Sequence, residues 1–304
     1  MKPPRATQER PLPVREGVGP SCVALPEGEW PTIAAFLIER FSRIDEATWR
    51  TRIEAGDVID ARGRVVRHDT PFEPQLKVYY YRSPPAERPF PRQESVLYQD
   101  DWIVVADKPH FMPVTPSGRH LHETLLVRLK RRLGIDTLAP VHRIDRDTAG
   151  LVLFSVQPQT RGAYQSVFRE RSARKVYEAI APLRPDLEWP MLLRNRLVDG
   201  DNFMTMREVP GEPNSETLIE LLESKEGLGH YRLQPLSGKR HQLRVHMAGL
   251  GVPLLNDGIY PVLMPEVDVP DFDKPLQLVA RELAFTDPVT GASRAFESAY
   301  RLAL

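Results

Sequence analysis

A single cysteine, Cys22, stands in 304 residues, so the chain can form no internal disulfide and no zinc cluster built on thiolates. No apolar run approaches the roughly 20 residues of a membrane helix, and the opening MKPPRATQER lacks the apolar stretch of a secretory signal. Net charge is missing as well: 41 Lys+Arg balance 41 Asp+Glu, which leaves any attraction for a polyanion to local clusters. The expectation is a soluble, monomeric, cytoplasmic protein with an inert Cys22. What is present excludes wholesale disorder, since 41% of residues are apolar and 27% charged, and the length suits two domains or one domain with an attached module.

Proline is over-represented, with 30 residues, and its positions divide the chain. Residues 1–30 are rich in Pro, Gly and charge without hydrophobic period and read as an extended tail. Residues 31–83 carry a helical pattern from Thr32 to Phe41 and another over Glu46 to Ala55. Short strands follow at Val58-Ile59, Val65-Val66 and 76–82. A Pro-rich linker, 84–92, precedes a mixed pattern from 93 to 304. Strands are predicted at 96–98, 102–106, 151–156, 176–180, 215–222 and 231–235, helices at 124–133 and 161–171, and a terminal hairpin turns at Asp287 to Gly291. The fold class read from this is α+β, with a mixed, largely antiparallel sheet and a small N-terminal α/β module.

Three stretches could carry chemistry. The first is His142, Arg143, Ile144, Asp145, Arg146 and Asp147, where a carboxylate between two arginines is held ionised and can act as nucleophile or base. The same acids could instead cap turns. The second is SGKRHQLRVH at 237–246, whose centre fits either strand or helix. His241 and His246 are five apart, which points them to opposite faces of a strand or about 140° apart on a helix, so a shared metal is disfavoured. Lys239, Arg240 and Arg244 suit phosphate or carboxylate recognition instead. The third is RKVYEAIA at 174–181, where alternation puts Lys175, Tyr177 and Ala179 on one face, and a tyrosine beside cations suits stacking on a base. Basic stretches around Arg128 to Arg132 and Arg161 to Lys175 read as solvated faces unless a neighbouring site calls for a polyanion.

The order of these stretches resembles the RluA-type pseudouridine synthases. The resemblance runs through VLYQDDWIVVADKP at 96–109, HRIDRDTAGLVLFS at 142–155, KVYEAIA at 175–181, GKRHQLRVHMAGLGVPLLND at 238–257 and QLVARELAFTDP at 277–288. It implies isomerisation of a uridine within ribosomal or transfer RNA, without cofactor or metal. It implies Asp145 as the catalytic carboxylate, buried and facing Arg244 as its ion-pair partner so that losing either leaves the other unpaired, and Tyr177 stacked on the target base, with Leu278 also against the base. Arg143 would enter the gap left by a flipped nucleotide, and His142, Arg146, Lys175, Lys239, Arg240 and His241 complete the expected substrate contacts. Residues 31–83 resemble a ribosomal-protein S-four-like RNA-binding module. Departures are Ala149 where the family commonly has Ser, Val279 where it often has His, Thr115 where VHP is frequent, and Asn256 where Gly is common; asparagine tolerates positive φ, so the last turn is expected to survive. Two rival readings are a non-catalytic RNA-binding or ribosome-assembly factor of the same fold and a hydrolase using Asp145 and Asp147 as a carboxylate pair.

Overall fold

The computed structural model describes residues 12–42, 44–82, 87–265 and 267–304. The first eleven positions of the expected tail and positions 84–86 of the expected linker lie outside the described residues. Two compact units divide the chain. One holds the described residues up to Glu87 together with 117–122 and 127–136, and the other holds 88–116, 123–126 and 137–304. Among the described residues no helix is long and apolar enough to cross a membrane.

The N-terminal unit is built on β1 (Ser21–Ala24), β2 (Val58–Asp60) and β3 (Lys77–Tyr80), antiparallel in the order β1-β3-β2. Two helices, α1 (Ile33–Arg40) and α2 (Glu46–Glu54), start where the sequence puts a capping side chain. The Thr32 hydroxyl accepts the Ala35 N–H at 3.1 Å and the Asp45 carboxylate accepts that of Thr48 at 2.8 Å. Ile33, Phe36 and Leu37 of α1 and Trp49 of α2 bury against Val78 and Tyr80. The expected tail ends earlier than residue 30, because β1 pairs along β3 from Ser21 opposite Tyr80 to Ala24 opposite Lys77, and Leu25 enters the core. Four residues with alternate ones exposed are too short a strand to stand out among prolines and glycines. Val65 makes only an isolated bridge to Ile59 rather than a strand. Most of α3 (Leu125–Leu133) groups with this unit instead of with the domain expected from residue 93. Val127 packs on Val18 and Leu121, and Arg131 Nε donates to the Glu16 carbonyl at 2.7 Å.

The second unit is an eleven-stranded, predominantly antiparallel sheet, as the fold class requires. Its first strands are β4 (Ser95–Gln99), β5 (Ile103–Lys108), β6 (Ala139–Pro140) and β7 (Ala149–Ser155). Then come β8 (Arg174–Pro182), β9 (Met191–Asp199), β10 (Met206–Val209), β11 (Ser215–Lys225), β12 (Leu228–Pro235), β13 (Leu278–Thr286) and β14 (Ser293–Glu297). The main path runs β10-β9-β11-β12-β8-β13-β7-β5-β4, with β14 on β13 and β6 on β7. The parallel pairing is β13 with β7, and it is short: Val279 faces Ala149 and Ala280 faces Gly150. Gly150 has φ +109°, and a Cβ there would lie 2.3 Å from the Ala280 carbonyl oxygen, so only glycine fits this close approach.

Helix α4 (Arg161–Arg169) packs Tyr164 and Val167 on Leu151, Leu153 and Leu283. The ambiguous 237–246 stretch resolves into helix α5 (Gln242–Gly249), entered from His241 at a left-handed φ of 53°. Its Leu243 and Met247 pack on Tyr231 and Leu233, while Val245 packs with Leu197, Met206 and Tyr260. A helix buried on both sides shows no clean amphipathic period, which is why the sequence left strand and helix open. Asn256 adopts φ 60°, as the substitution for glycine requires.

Candidate active site

Asp145 sits in the loop between β6 and β7, and three basic groups hold that loop by its backbone. Lys108, at the end of β5 and fully buried, donates from Nζ to the carbonyls of Pro109 and Arg146, each at 2.9 Å. His110 Nδ1 donates to the Asp147 carbonyl at 2.7 Å. His142 Nε2 accepts the Leu153 N–H at 3.1 Å, and its ring stacks on Phe168 with centroids 4.4 Å apart. Each imidazole therefore has its tautomer fixed by a backbone partner, and burial keeps both neutral: His110 is pushed down to about 4 and His142 to about 3. Burial also brings Lys108 down to about 7 against the pull of Asp147 and Asp145. His142 is thus a wall of the cleft and an anchor of β7 rather than a cationic contact.

Arg244 is the buried centre of the arrangement, and its primary partner is Asp257. Its Nε and Nη2 meet the two Asp257 oxygens at 2.8 and 2.5 Å, and both side chains are 1% exposed. Asp257 further accepts the N–H groups of Ile259 and Tyr260. The remaining guanidinium nitrogen, Nη1, stands 3.5 Å from Asp145 Oδ2, and Asp145 is 27% exposed. Two corrections to the expected ion pair follow. Asp145 is half-buried rather than buried, because it faces the cleft, and Arg244 is not left unpaired when Asp145 is changed, because Asp257 supplies the larger part of its charge compensation. Asp257 raises the Arg244 guanidinium well above its ordinary range against the opposing effect of burial.

A cleft of about 440 Å³ opens over Asp145. Tyr177 on β8 and Leu278 on β13 line it, the latter buried with Ala179 opposite it across the sheet. Burial, then the Asp145 charge, raises the Tyr177 hydroxyl, so it stays protonated. Lys175, two residues before Tyr177 on the same strand, also lines the cleft and donates to the Ser237 carbonyl at 3.2 Å. Arg143, Arg171 and Lys239 line it as exposed cations, and Arg169 joins them. Among the described residues that line the cleft, Asp145 is the one acid, set among Arg143, Arg169, Arg171, Lys175, Lys239 and Arg244.

Two expected contacts do not reach the cleft. Arg146 turns back to Asp147 Oδ1 at 2.9 Å, and Arg240 donates to Asp199 Oδ1 at 3.0 Å and to the carbonyls of Phe203 and Thr205. Each guanidinium finds an acid or carbonyl closer than the site, Asp147 next to it in sequence and Asp199 across the β9–β10 turn. His241 and His246 do diverge: His241 lines the cleft, whereas His246 is buried with Nε2 on Asn195 Oδ1 at 2.7 Å. Among the described residues no group of three or more His, Cys, Asp or Glu could hold a metal ion. Asp147 pairs with Arg146 and is absent from the cleft lining, which removes the carboxylate-pair hydrolase. Sequence reasoning missed Lys108, His110, Asp257 and Tyr260. The signal available was position: Lys108 and Asp257 lie inside the recognised blocks 96–109 and 238–257, and His110 and Tyr260 lie one and three residues beyond them.

A pH dependence of stability follows from the buried neutral imidazoles. His246, like His110, is pushed down to about 4 by burial. The unfolded chain takes up protons near pH 6.5 that the folded chain refuses until about pH 4, or about pH 3 for His142. Stability therefore falls as pH drops through that window, by about 1.4 kcal/mol per pH unit for each such histidine. Urea midpoints measured from pH 7.5 to 5 should decline steeply, and His246→Gln should flatten the decline. A midpoint independent of pH over that range would refute this account.

Comparison with known proteins places these features. Residues 102–249 match the family described as RNA pseudouridylate synthase. The chain is 30% identical over 218 residues to the dual-specificity RNA pseudouridine synthase RluA of Haemophilus influenzae, covering 67% of this chain and 91% of that one. It is 26% identical over 239 residues to the mitochondrial tRNA pseudouridine(32) synthase of Saccharomyces cerevisiae, covering 74% of this chain and 49% of the yeast protein. The structure of human RNA pseudouridylate synthase domain containing 4 superposes with a TM-score of 0.52 at 25% identity, over 66% of this chain and 87% of that one.

Proposed function

Because the chain belongs to the RluA-type RNA pseudouridine synthases and isomerises uridine in RNA to pseudouridine, we propose that Asp145 is the carboxylate that performs the isomerisation. The observation that carries this reading is the lone acid among six cations in the cleft. Phosphate affinity comes from cations, and a carboxylate facing a polyanion weakens it, so binding alone gives Asp145 no purpose. Arg244, secured by the Asp257 behind it, keeps a positive charge fixed at 3.5 Å from Asp145 Oδ2 in a partly desolvated site.

The substrate is a uridine in ribosomal or transfer RNA, flipped out of its stack so that its glycosidic bond reaches Asp145. Tyr177 gives its ring to the base and Leu278 supplies apolar contact beside it. Arg143 follows the nucleotide into the gap, while Arg171 and Lys239 hold flanking phosphates. The unit around β1 to β3 serves as an additional RNA-binding module, as its resemblance implies.

The direct test uses ribosomal and transfer RNA carrying tritium at carbon 5 of uridine, which is freed when that carbon takes the bond to the sugar. The protein, incubated with either RNA in the presence of a metal chelator, should release tritium to water. RNA binding without release from either substrate would favour the non-catalytic RNA-binding reading.

A further inference from the structure

Tyr260 lies outside the cleft lining, yet its hydroxyl is committed on both sides. The oxygen accepts the Met206 N–H at 2.7 Å, and His241 Nδ1 stands 2.9 Å away. A hydroxyl that accepts from an amide still has its own proton to give, and giving it to Nδ1 puts the imidazole proton on Nε2. Nε2 is the nitrogen that faces Asp145, at 3.8 Å from Oδ1. Arg244 Nη1 addresses the other carboxylate oxygen, Oδ2. In that arrangement the two oxygens of Asp145 face different groups, a permanent cation 3.5 Å from Oδ2 and an imidazole, pushed toward its neutral form by burial, 3.8 Å from Oδ1.

His241 has little freedom to adopt another arrangement. It precedes α5 with a left-handed φ of 53°, its carbonyl accepts the Val245 N–H at 3.0 Å, and its ring meets that of Tyr260 edge-on with centroids 5.6 Å apart. Tyr260 is fixed in turn by packing with Leu197, Met206 and Val245, while Asp257 binds its N–H at 3.0 Å. Distances of this kind shorten when substrate closes a site, so 3.8 Å is within reach of a hydrogen bond in the complex.

We propose that Tyr260 is a positioning residue for the isomerisation: through His241 it selects the Nε2–H tautomer and thereby aims a neutral donor at Oδ1 of Asp145. The proposal rests on the reading of Asp145 as the catalytic carboxylate. A neutral donor orients the carboxylate while leaving the proton inventory of the site unchanged, whereas the opposite tautomer would set a lone pair against Oδ1 and repel it.

The test is a double-mutant cycle on single-turnover rates at saturating RNA. Tyr260→Phe keeps the ring and its packing and removes the hydroxyl, and should slow the rate by about 10- to 100-fold, the scale for losing a hydrogen bond directed at a charged group. In His241→Gln the side-chain amide supplies a donor close to the Nε2 position without help from Tyr260. Adding Tyr260→Phe to that variant should therefore change the rate less than threefold. Equal slowing in both backgrounds would overturn the proposal, since a merely structural loss at Tyr260 is indifferent to what stands at 241. Long-range proton–nitrogen NMR of histidine-labelled protein provides a second readout. The His241 signal, identified by its loss in His241→Gln, should report the Nε2–H tautomer in the parent and lose that signature in Tyr260→Phe; an Nδ1–H tautomer in the parent would refute it. Failure of the underlying reading would look different, as turnover persisting in Asp145→Asn.

Discussion

Asp145→Asn should reduce tritium release by on the order of 10⁴-fold or more while RNA binding is kept or strengthened. The substitution preserves shape and removes one negative charge. Every route open to a carboxylate here, attack on the sugar, addition to the ring or removal of a proton, needs the ionised form, so none survives in the amide. The fold survives, because Arg244 retains both of its short contacts to Asp257. On the proposed reading affinity is held by Arg143, Arg171 and Lys239, which line the cleft, and the loss of an acid from their midst favours a polyanion. Binding titrations and single-turnover assays on the same preparation separate the two effects. Turnover within tenfold of the parent, or binding that collapses together with activity, would contradict the assignment.

Arg244→Met should be the most damaging substitution for stability, costing about 3–5 kcal/mol, because it leaves the Asp257 carboxylate buried without its counterion. Asp257 is 1% exposed and cannot turn to water, and the backbone N–H groups of Ile259 and Tyr260 compensate only part of its charge. Asp257→Asn in the same chain should restore part of the loss, since an amide tolerates a site that a lone carboxylate does not. Thermal and urea unfolding of the two single variants and the double variant would show this coupling; strictly additive losses would argue that the pair contributes through packing alone. The contrast with Asp145→Asn assigns the two carboxylates around Arg244 different work. Asp257 secures the guanidinium, and Asp145, on the proposed assignment, uses it.

Legibility in the sequence followed sequence distance. The strands at 151–156 and 176–180 and the capped helices after Thr32 and Asp45 are local patterns, and they stand where the residues put them. Asp145, Tyr177, Lys175, Lys239, His241, Arg244 and Leu278 come together in one cleft, as the ordered motifs implied. Arg146 and Arg240 do not: Asp147, beside Arg146 in the same motif, takes the one guanidinium, and Asp199, 41 residues before Arg240 and invisible from its motif, takes the other. Lys108 and Asp257 escaped for the converse reason. Each is a single charge whose importance comes from burial and from a partner that only folding supplies. The pair β9 and β10 went unread since MLLRNRLVD breaks the alternation that marks a strand, yet β10 provides the Met206 N–H on which the Tyr260 hydroxyl depends.

The short pairing of β7 with β13 has a mechanical meaning. Asp145 belongs to the loop entering β7, whereas Tyr177 lies on β8, beyond β13, so the two sides of the cleft are pinned together across two residue pairs. With a pin that short, the separation of the two sides rests on how closely the backbones at 150 and 280 approach. A Cβ at position 150, 2.3 Å from the Ala280 carbonyl oxygen, would have to push the two strands, and with them the two sides of the cleft, apart. A residue with no chemistry of its own would reach the reaction as a gauge of the gap between carboxylate and ring.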